Sequence, residues 1–207
     1  RKGQDLVVKA FRSFQQRHQE ALLLTAWNTP WHWHDPYMAA GTNTVPASSD
    51  ADGWIDTAGW AIANGVPAHA LIALGKVPNI AMPHVMREAD VALFPNRCEG
   101  GTNLGAMECR ACGIPTILSA NTGHLDLLVR NDAAYRLDRQ DTASCEGYET
   151  RDWGESDVEE ILEKLESVWR DRAAATAVGQ RGSAFIAPMT WERQTALLLR
   201  AIEPLLP

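Results

Sequence analysis

The chain has 207 residues, 45% hydrophobic and 22% charged, a balance that supports one sizeable core and excludes disordered, collagen-like and fibrous classes. Aspartate and glutamate outnumber lysine and arginine by 26 to 19, a formal charge of −7, which argues against a nucleic-acid surface because that needs dense positive charge. No apolar run approaches the roughly 18 residues of a membrane span, and Arg1-Lys2-Gly3-Gln4-Asp5 lacks the apolar core of a signal peptide, so a soluble, cytoplasmic protein is expected, with Cys98, Cys109, Cys112 and Cys145 as reduced thiols.

In residues 5–14, Leu6, Val7, Ala10, Phe11 and Phe14 share one stripe, with Arg12, Gln15 and Gln16 opposite, which predicts a first helix. Ala21-Leu22-Leu23-Leu24-Thr25-Ala26 is a short unalternating apolar run, the form of a parallel strand covered on both faces. The same form returns in Ala70-Leu71-Ile72-Ala73-Leu74, Val91-Ala92-Leu93-Phe94 and Thr116-Ile117-Leu118-Ser119. Helical patterns at 79–89 and 104–112 separate these runs, so the expected fold is a doubly wound α/β domain with a parallel, Rossmann-like sheet. A polar stretch from 138 to 153 follows. Then Val158, Ile161, Leu162, Leu165, Val168 and Trp169 mark an amphipathic helix, and two further helical stretches at 172–186 and 191–205 complete a set of C-terminal helices over 157–207. The whole chain, 1–207, reads as one domain.

Residues 27–60 form a long insertion between the first two strands. It carries Trp27, Trp31, His32, Trp33, His34, Trp54 and Trp60 among turn formers, too long for an ordinary connection. Two readings stand: a lid or sugar-stacking surface, and an insertion packed around its own aromatic cluster. His32 and His34 beside Asp35 also allow a metal, although alternate spacing in a Trp-rich loop is weak evidence for one. Cys109 and Cys112 spell Cys-x-x-Cys, but no second paired motif supplies the four ligands of a zinc site, and packed thiols explain them better.

The densest chemistry lies in Asn96-Arg97-Cys98-Glu99-Gly100-Gly101-Thr102-Asn103-Leu104-Gly105-Ala106-Met107-Glu108, which follows a buried strand and opens a helix. Gly100 and Gly101 let backbone approach a ligand, and Thr102 or Asn103 can cap the helix, so that its first amides face the mouth of the sheet. Such a turn cradles phosphate, at the carboxyl end of a strand where doubly wound sheets bind ligands. Glu99 and Glu108 flank it. Carboxylates repel phosphate but accept sugar hydroxyls, so the pair with the glycine turn favours a ligand that is part phosphate and part polyol, such as a nucleotide sugar.

These residues resemble the donor-binding, C-terminal half of retaining glycosyltransferases of the GT-B fold, the group that includes sucrose-phosphate and mannosyl transferases. Its signature runs from a strand ending in Pro-Ser through Glu-Gly and a short turn to Glu-Ala-Met-Ala-Cys-Gly-x-Pro. The chain has Phe94-Pro95-Asn96, Glu99-Gly100-Gly101 and Glu108-Cys109-Arg110-Ala111-Cys112-Gly113-Ile114-Pro115. Arg1-Lys2-Gly3-Gln4-Asp5-Leu6 is similar to the family's Lys-Gly-x-Asp-Leu helix entry, Leu74-Gly75-Lys76-Val77-Pro78 to its Gly-x-Val-Pro loop, Glu88-Ala89-Asp90-Val91 to its Ala-Asp-Val strand start, and Met189-Thr190-Trp191-Glu192-Arg193 to its Phe-Ser-Trp-Glu-Arg helix start.

The resemblance implies transfer of a hexose from a nucleoside-diphosphate sugar to an acceptor hydroxyl with retention of configuration, without an obligatory metal or cofactor. Glu99 would bind donor-sugar hydroxyls and Lys2 the phosphates; both are the expected catalytic residues. Glu108 would bind ribose hydroxyls, Gly100, Gly101, Thr102 and Asn103 would offer amides to sugar and pyrophosphate, and Gly75, Lys76 and Val77 would hold the nucleobase. Two departures stand out. Eight residues separate Glu99 from Glu108 where the family has seven, and Asn121-Thr122-Gly123-His124-Leu125-Asp126 replaces a Gly-Gly pair and a glutamate, leaving Asp126 as a possible helix cap. The family's phosphate-binding arginine and its N-terminal acceptor-binding domain belong upstream of Lys2 and are absent from this chain. They are the expected partner, and the chain alone is expected to be inactive. The alternative is a non-catalytic module on the same fold that recognises carbohydrate or protein through the Trp-rich insertion; a nucleotide-sugar epimerase is a third possibility.

Overall fold

The structure, a computed structural model, describes residues 1–27, 45–49, 54–145 and 149–205. Trp31, His32, Trp33 and His34, and with them the metal and sugar-stacking readings of that segment, lie outside the described residues. Helix α1 (Gln4–Arg17) is followed by β1 (Leu23–Thr25), α2 (Thr57–Ala63), β2 (Leu71–Ala73), a 3-10 turn (Asn79–Ala81) running into the short α3 (Met82–Met86), β3 (Ala92–Phe94), α4 (Leu104–Ala111), β4 (Thr116–Ser119), a 3-10 turn (Thr122–Leu127) and β5 (Tyr135–Leu137). A hairpin of β6 (Gln140–Thr142) and β7 (Gly154–Ser156) then leads to α5 (Val158–Arg170), α6 (Arg172–Ile186) and α7 (Trp191–Ile202).

The strands pair in parallel as β1 with β2 and as β3–β4–β5, with β6 and β7 antiparallel. Among the described residues no ladder joins β1 to β3, so each has a partner on one side only. Strand β4 makes the doubly covered geometry explicit. Ile117 belongs to one core cluster with Leu6, Phe11 and Phe14 of α1 and Ile161 and Leu165 of α5, while the next residue, Leu118, belongs to a second with Ala106 of α4 and Ile186 of α6. Successive strand side chains point to opposite faces, so helices cover both sides and the α/β class holds.

Burial corrects one expectation. Of the strands among the described residues, β4 alone is buried along its whole length. In β2, Leu71 reaches the core but Ile72 and Ala73 are exposed, with Ile72 43% accessible, because an edge strand has one neighbour and here one covered face. Asp126 is likewise no cap: it is an exposed residue inside the 3-10 turn, whose N-cap is Asn121. Helix α2, strand β5 and the β6–β7 hairpin were not expected from the sequence.

Candidate functional site

The site is built where α1 begins and β3 ends. Gly3 has φ 77°, and a Cβ there would meet the Pro95 carbonyl oxygen at 2.2 Å, so the α1 entry rests directly on the backbone after β3. The Arg97 amide donates to the Arg1 carbonyl at 2.9 Å. Asp5, in the first turn of α1, accepts two hydrogen bonds from the Arg97 guanidinium, at 2.7 and 2.8 Å, with both side chains almost wholly buried. Arg97 Nε donates to Glu155 of β7 at 2.8 Å, and its carbonyl accepts from the Gly154 amide. Burial by itself would raise the Asp5 pKa, but the bidentate guanidinium outweighs it and holds the carboxyl below the ordinary aspartate value. For Arg97, burial works against the charge and Asp5 and Glu155 overcome it, raising its pKa.

This clamp presents the neighbouring loop. Lys2 Nζ lies 2.5 Å from Glu99 Oε1, Asn96 Nδ2 donates to the same oxygen, and Arg1 Nη1 is 3.6 Å from Oε2. Glu99 is 8% exposed, so it is a held carboxylate rather than a solvated one, and the two expected catalytic residues meet. The Lys2 side chain is 43% exposed and has room to swing towards an anion.

Beyond Glu99 the chain opens out. Gly100, Gly101 and Thr102 are exposed; neither glycine has a positive φ, and a Cβ on either would meet nothing within 4 Å. The fold itself asks for glycine at neither position. Asn103 caps α4, its side chain accepting from the Ala106 amide at 3.2 Å. Among the described residues, none of the amides from Gly100 to Gly105 donates a hydrogen bond within the chain. Two of them belong to the first turn of a helix, whose amides have no intrahelical acceptor and carry the positive end of its dipole.

Other expected residues make no hydrogen bond or ion pair with Glu99 among the described residues. Glu108 is exposed on α4, where its side chain makes no hydrogen bond or ion pair among the described residues. Gly75, Lys76 and Val77 form the loop after β2, where Lys76 Nζ stands 4.7 Å over the Trp54 ring; no described contact brings this loop to Glu99. A cavity of about 390 Å³ adjoins it, lined by Ser48, Ser49, Asp56, Thr57, Leu74 and Gly75 among others. Cys109 is buried on α4, and burial, followed by the charges of Cys112 and Glu108, pushes its thiol up to about 12, as suits packing rather than redox chemistry. No cluster of three or more metal-ligating side chains occurs among the described residues.

Sequence reasoning missed Asp5, Arg97, Thr122 and His124 as builders of the site. The signal for the first pair was available: an acid at the buried stripe of α1 and an arginine in a strand-end loop each need a partner. For the other two the signal was a Thr-Gly-His turn directly after a buried parallel strand.

No curated protein matches the sequence significantly. A sequence model of the family 4 glycosyltransferases in conflict systems matches residues 80–198. Among solved structures, sucrose-phosphate synthase from Thermosynechococcus elongatus superposes with TM-score 0.68 at 17% identity, over 100% of this chain and 43% of that one. The C-terminal domain of the group 1 glycosyl transferase LpcC from Francisella tularensis gives 0.55 at 13%, over 90% of this chain and 78% of that one. Anabaena HepE in complex with UDP gives 0.57 at 12%, over 95% and 55%. These likenesses show the Rossmann-like half of a GT-B fold. The chain spans less than half the length of the sucrose-phosphate synthase. No helix among the described residues is long and apolar enough to cross a membrane.

Proposed function

Because this chain belongs to the family 4 glycosyltransferases in conflict systems, we propose that it is the donor-binding half of a retaining hexosyltransferase, holding a nucleoside-diphosphate sugar while the hexose passes to an acceptor hydroxyl. The observation that carries this reading is the run of amides at 100–105 that donate no hydrogen bond among the described residues, directly beside a buried carboxylate and a partly exposed ammonium. Lys2 and Glu99 neutralise each other across a 2.5 Å ion pair. When the donor binds, Lys2 turns to the diphosphate, and Glu99, held from behind by Asn96, accepts hydroxyls of the sugar. The amides of Gly100, Gly101, Thr102 and Asn103 receive pyrophosphate and sugar oxygens. Glu108 takes the ribose hydroxyls and the 75–77 loop the base.

The chemistry this supplies is electrostatic. As the glycosidic bond breaks, charge grows on the departing diphosphate, and fixed amide dipoles with Lys2 stabilise that charge more than they stabilise the ground state. No metal ion is assigned a part. The acceptor and the rest of the cleft come from an N-terminal acceptor-binding domain, and the reaction is a cytoplasmic one. That HepE has been solved with UDP and with UDP-glucose supports the choice of a nucleoside diphosphate as ligand.

Calorimetric titration with UDP, GDP and ADP tests the proposal. One of the three is expected to bind, and Lys2→Ala to weaken that binding about tenfold through loss of one phosphate contact. Failure of all three to bind would contradict it.

A further inference from the structure

The turn after β4 lies beneath the loop after β3 and fixes it at successive points. The Thr122 hydroxyl accepts from the Glu99 amide at 2.9 Å, and the Gly123 amide donates to the Glu99 carbonyl at 3.2 Å. A Cβ on Gly123 would sit 1.7 Å from the Gly101 carbonyl oxygen, so the two backbones touch. Thr122 is held at φ 39°, a left-handed conformation that a β-branched residue adopts only under constraint from its surroundings.

His124, wholly buried, completes this template. Nδ1 is 3.2 Å from the Ser119 carbonyl oxygen and Nε2 is 3.0 Å from Asn103 Nδ2. The proton positions follow from these partners. A carbonyl only accepts, so Nδ1 carries the hydrogen and donates. The Asn103 oxygen is committed to the Ala106 amide, so the end facing His124 is the NH2 group, and Nε2 accepts from it. A ring protonated on Nε2 would set donor against donor; relief by flipping Asn103 would turn its NH2 towards the Ala106 amide and undo the cap.

We propose that His124, as the neutral Nδ1-H tautomer, is a positioning residue for the donor loop: it orients Asn103, which caps α4 and so aims the 100–105 amides at the ligand. This rests on the donor-binding reading above and deepens it by naming what shapes the site from behind. The charged groups facing the ring are Glu99 and Lys2. Burial lowers the His124 pKa and Lys2 adds to that, while Glu99 and the Ser119 bond oppose, in keeping with a ring that stays neutral.

Two measurements on the full chain test the proposal. Nitrogen-15 NMR of the imidazole is expected to show a protonated Nδ1 and a bare Nε2 at neutral pH, with the neutral ring still prevailing at the ordinary histidine value of about 6.5. A protonated Nε2 would overturn the proposal. In titrations with whichever of UDP, GDP and ADP binds wild type, His124→Phe, which removes the acceptor, is expected to weaken binding roughly tenfold, and His124→Gln, whose side-chain oxygen can accept from Asn103, to restore most of it. A His124→Phe protein that binds that diphosphate as tightly as wild type would overturn it, as would a folded His124→Gln protein that rescues nothing. Should His124→Phe fail to fold, the tautomer and the glutamine variant decide. Should wild type bind none of UDP, GDP and ADP, the donor-binding reading falls and this proposal with it; should wild type bind one of them while these variants behave otherwise than expected, only this proposal falls.

Discussion

A methyl group on Gly3 would meet the Pro95 carbonyl oxygen at 2.2 Å, at a backbone position with φ 77°. Both the left-handed conformation and the contact forbid a side chain, so Gly3→Ala is expected to cost about 2 kcal/mol or more in chemical denaturation. It should also weaken diphosphate binding, since Lys2 is the adjacent residue. Asp5 makes a different demand. Removing its charge takes a bidentate acceptor away from the buried Arg97 guanidinium, and Asp5→Asn is expected to destabilise the protein by roughly 3 kcal/mol near neutral pH. The sign of its pH dependence follows from the lowered pKa. As pH falls, the unfolded chain takes up the proton first, so the stabilisation is complete above the ordinary aspartate value of about 3.9 and disappears as pH drops towards the folded value. Urea melts across about pH 6 to 3 should show a steeper acid loss for wild type than for Asp5→Asn; parallel curves would contradict the assignment.

At the level of elements, α4 carries a cation inside the core. Arg110 occupies the place of methionine in the Glu-Ala-Met-Ala-Cys-Gly signature, yet it is wholly buried. Its terminal nitrogens donate to the Leu127 and Ala133 carbonyls at 2.7 and 3.1 Å, and its guanidinium stacks over Phe185 at 4.7 Å. Among the described residues no carboxylate pairs it and Nε has no acceptor, and burial lowers its pKa to about 10. The helix therefore ties the 3-10 turn and the β5 approach to α6 through one side chain. Arg110→Ala, which opens a void and strands two carbonyls, is expected to cost about 3 kcal/mol; Arg110→Met, which fills the space and removes a poorly compensated charge, about 1 kcal/mol. Thermal or urea denaturation of the two variants separates these outcomes. Helices of this kind were legible because their stripes are long: Ile161, Leu162 and Leu165 of α5 are all buried as their spacing required. Strand β5, Tyr135-Arg136-Leu137, and the hairpin strands Gln140-Asp141-Thr142 and Gly154-Glu155-Ser156 were not, because three residues are too few to show a period; β5 is set by its pairing with β4, and the hairpin is tied to the fold by the Arg97–Glu155 and Asn121–Gln140 contacts.

Across the molecule, the described residues form two parallel ladders that share a core, with no ladder joining them. Strand β4 is bonded on both sides and fully buried, whereas β1 and β3 have one paired edge each. Amide exchange should accordingly be slowest in Thr116–Ser119 and faster in Leu23–Thr25; the reverse order would show that the ladders are continued by pairing beyond those described. The candidate site divides in the same way between what a sequence displays and what only a fold assembles. The Glu99–Gly101 turn and Lys2 were visible as motifs, and the glycines stand unexplained by any contact of their own chain. That Lys2 meets Glu99, that Arg97 clamps Asp5, and that a turn 20 residues further on shapes the loop through His124 all depend on β3 and β4 lying side by side. The roles of Glu108 at the ribose and of the 75–77 loop at the base came from the family resemblance, and neither makes a hydrogen bond or ion pair with Glu99 among the described residues.

The most direct test follows the amides themselves. In nitrogen-15 correlation spectra of the full chain titrated with the nucleoside diphosphate that binds, the largest shifts are expected at Gly100, Gly101, Thr102, Asn103, Leu104 and Gly105, with the Lys2 ammonium moving alongside them. Saturable binding that leaves those six amides unmoved would contradict the assignment of the diphosphate to this loop.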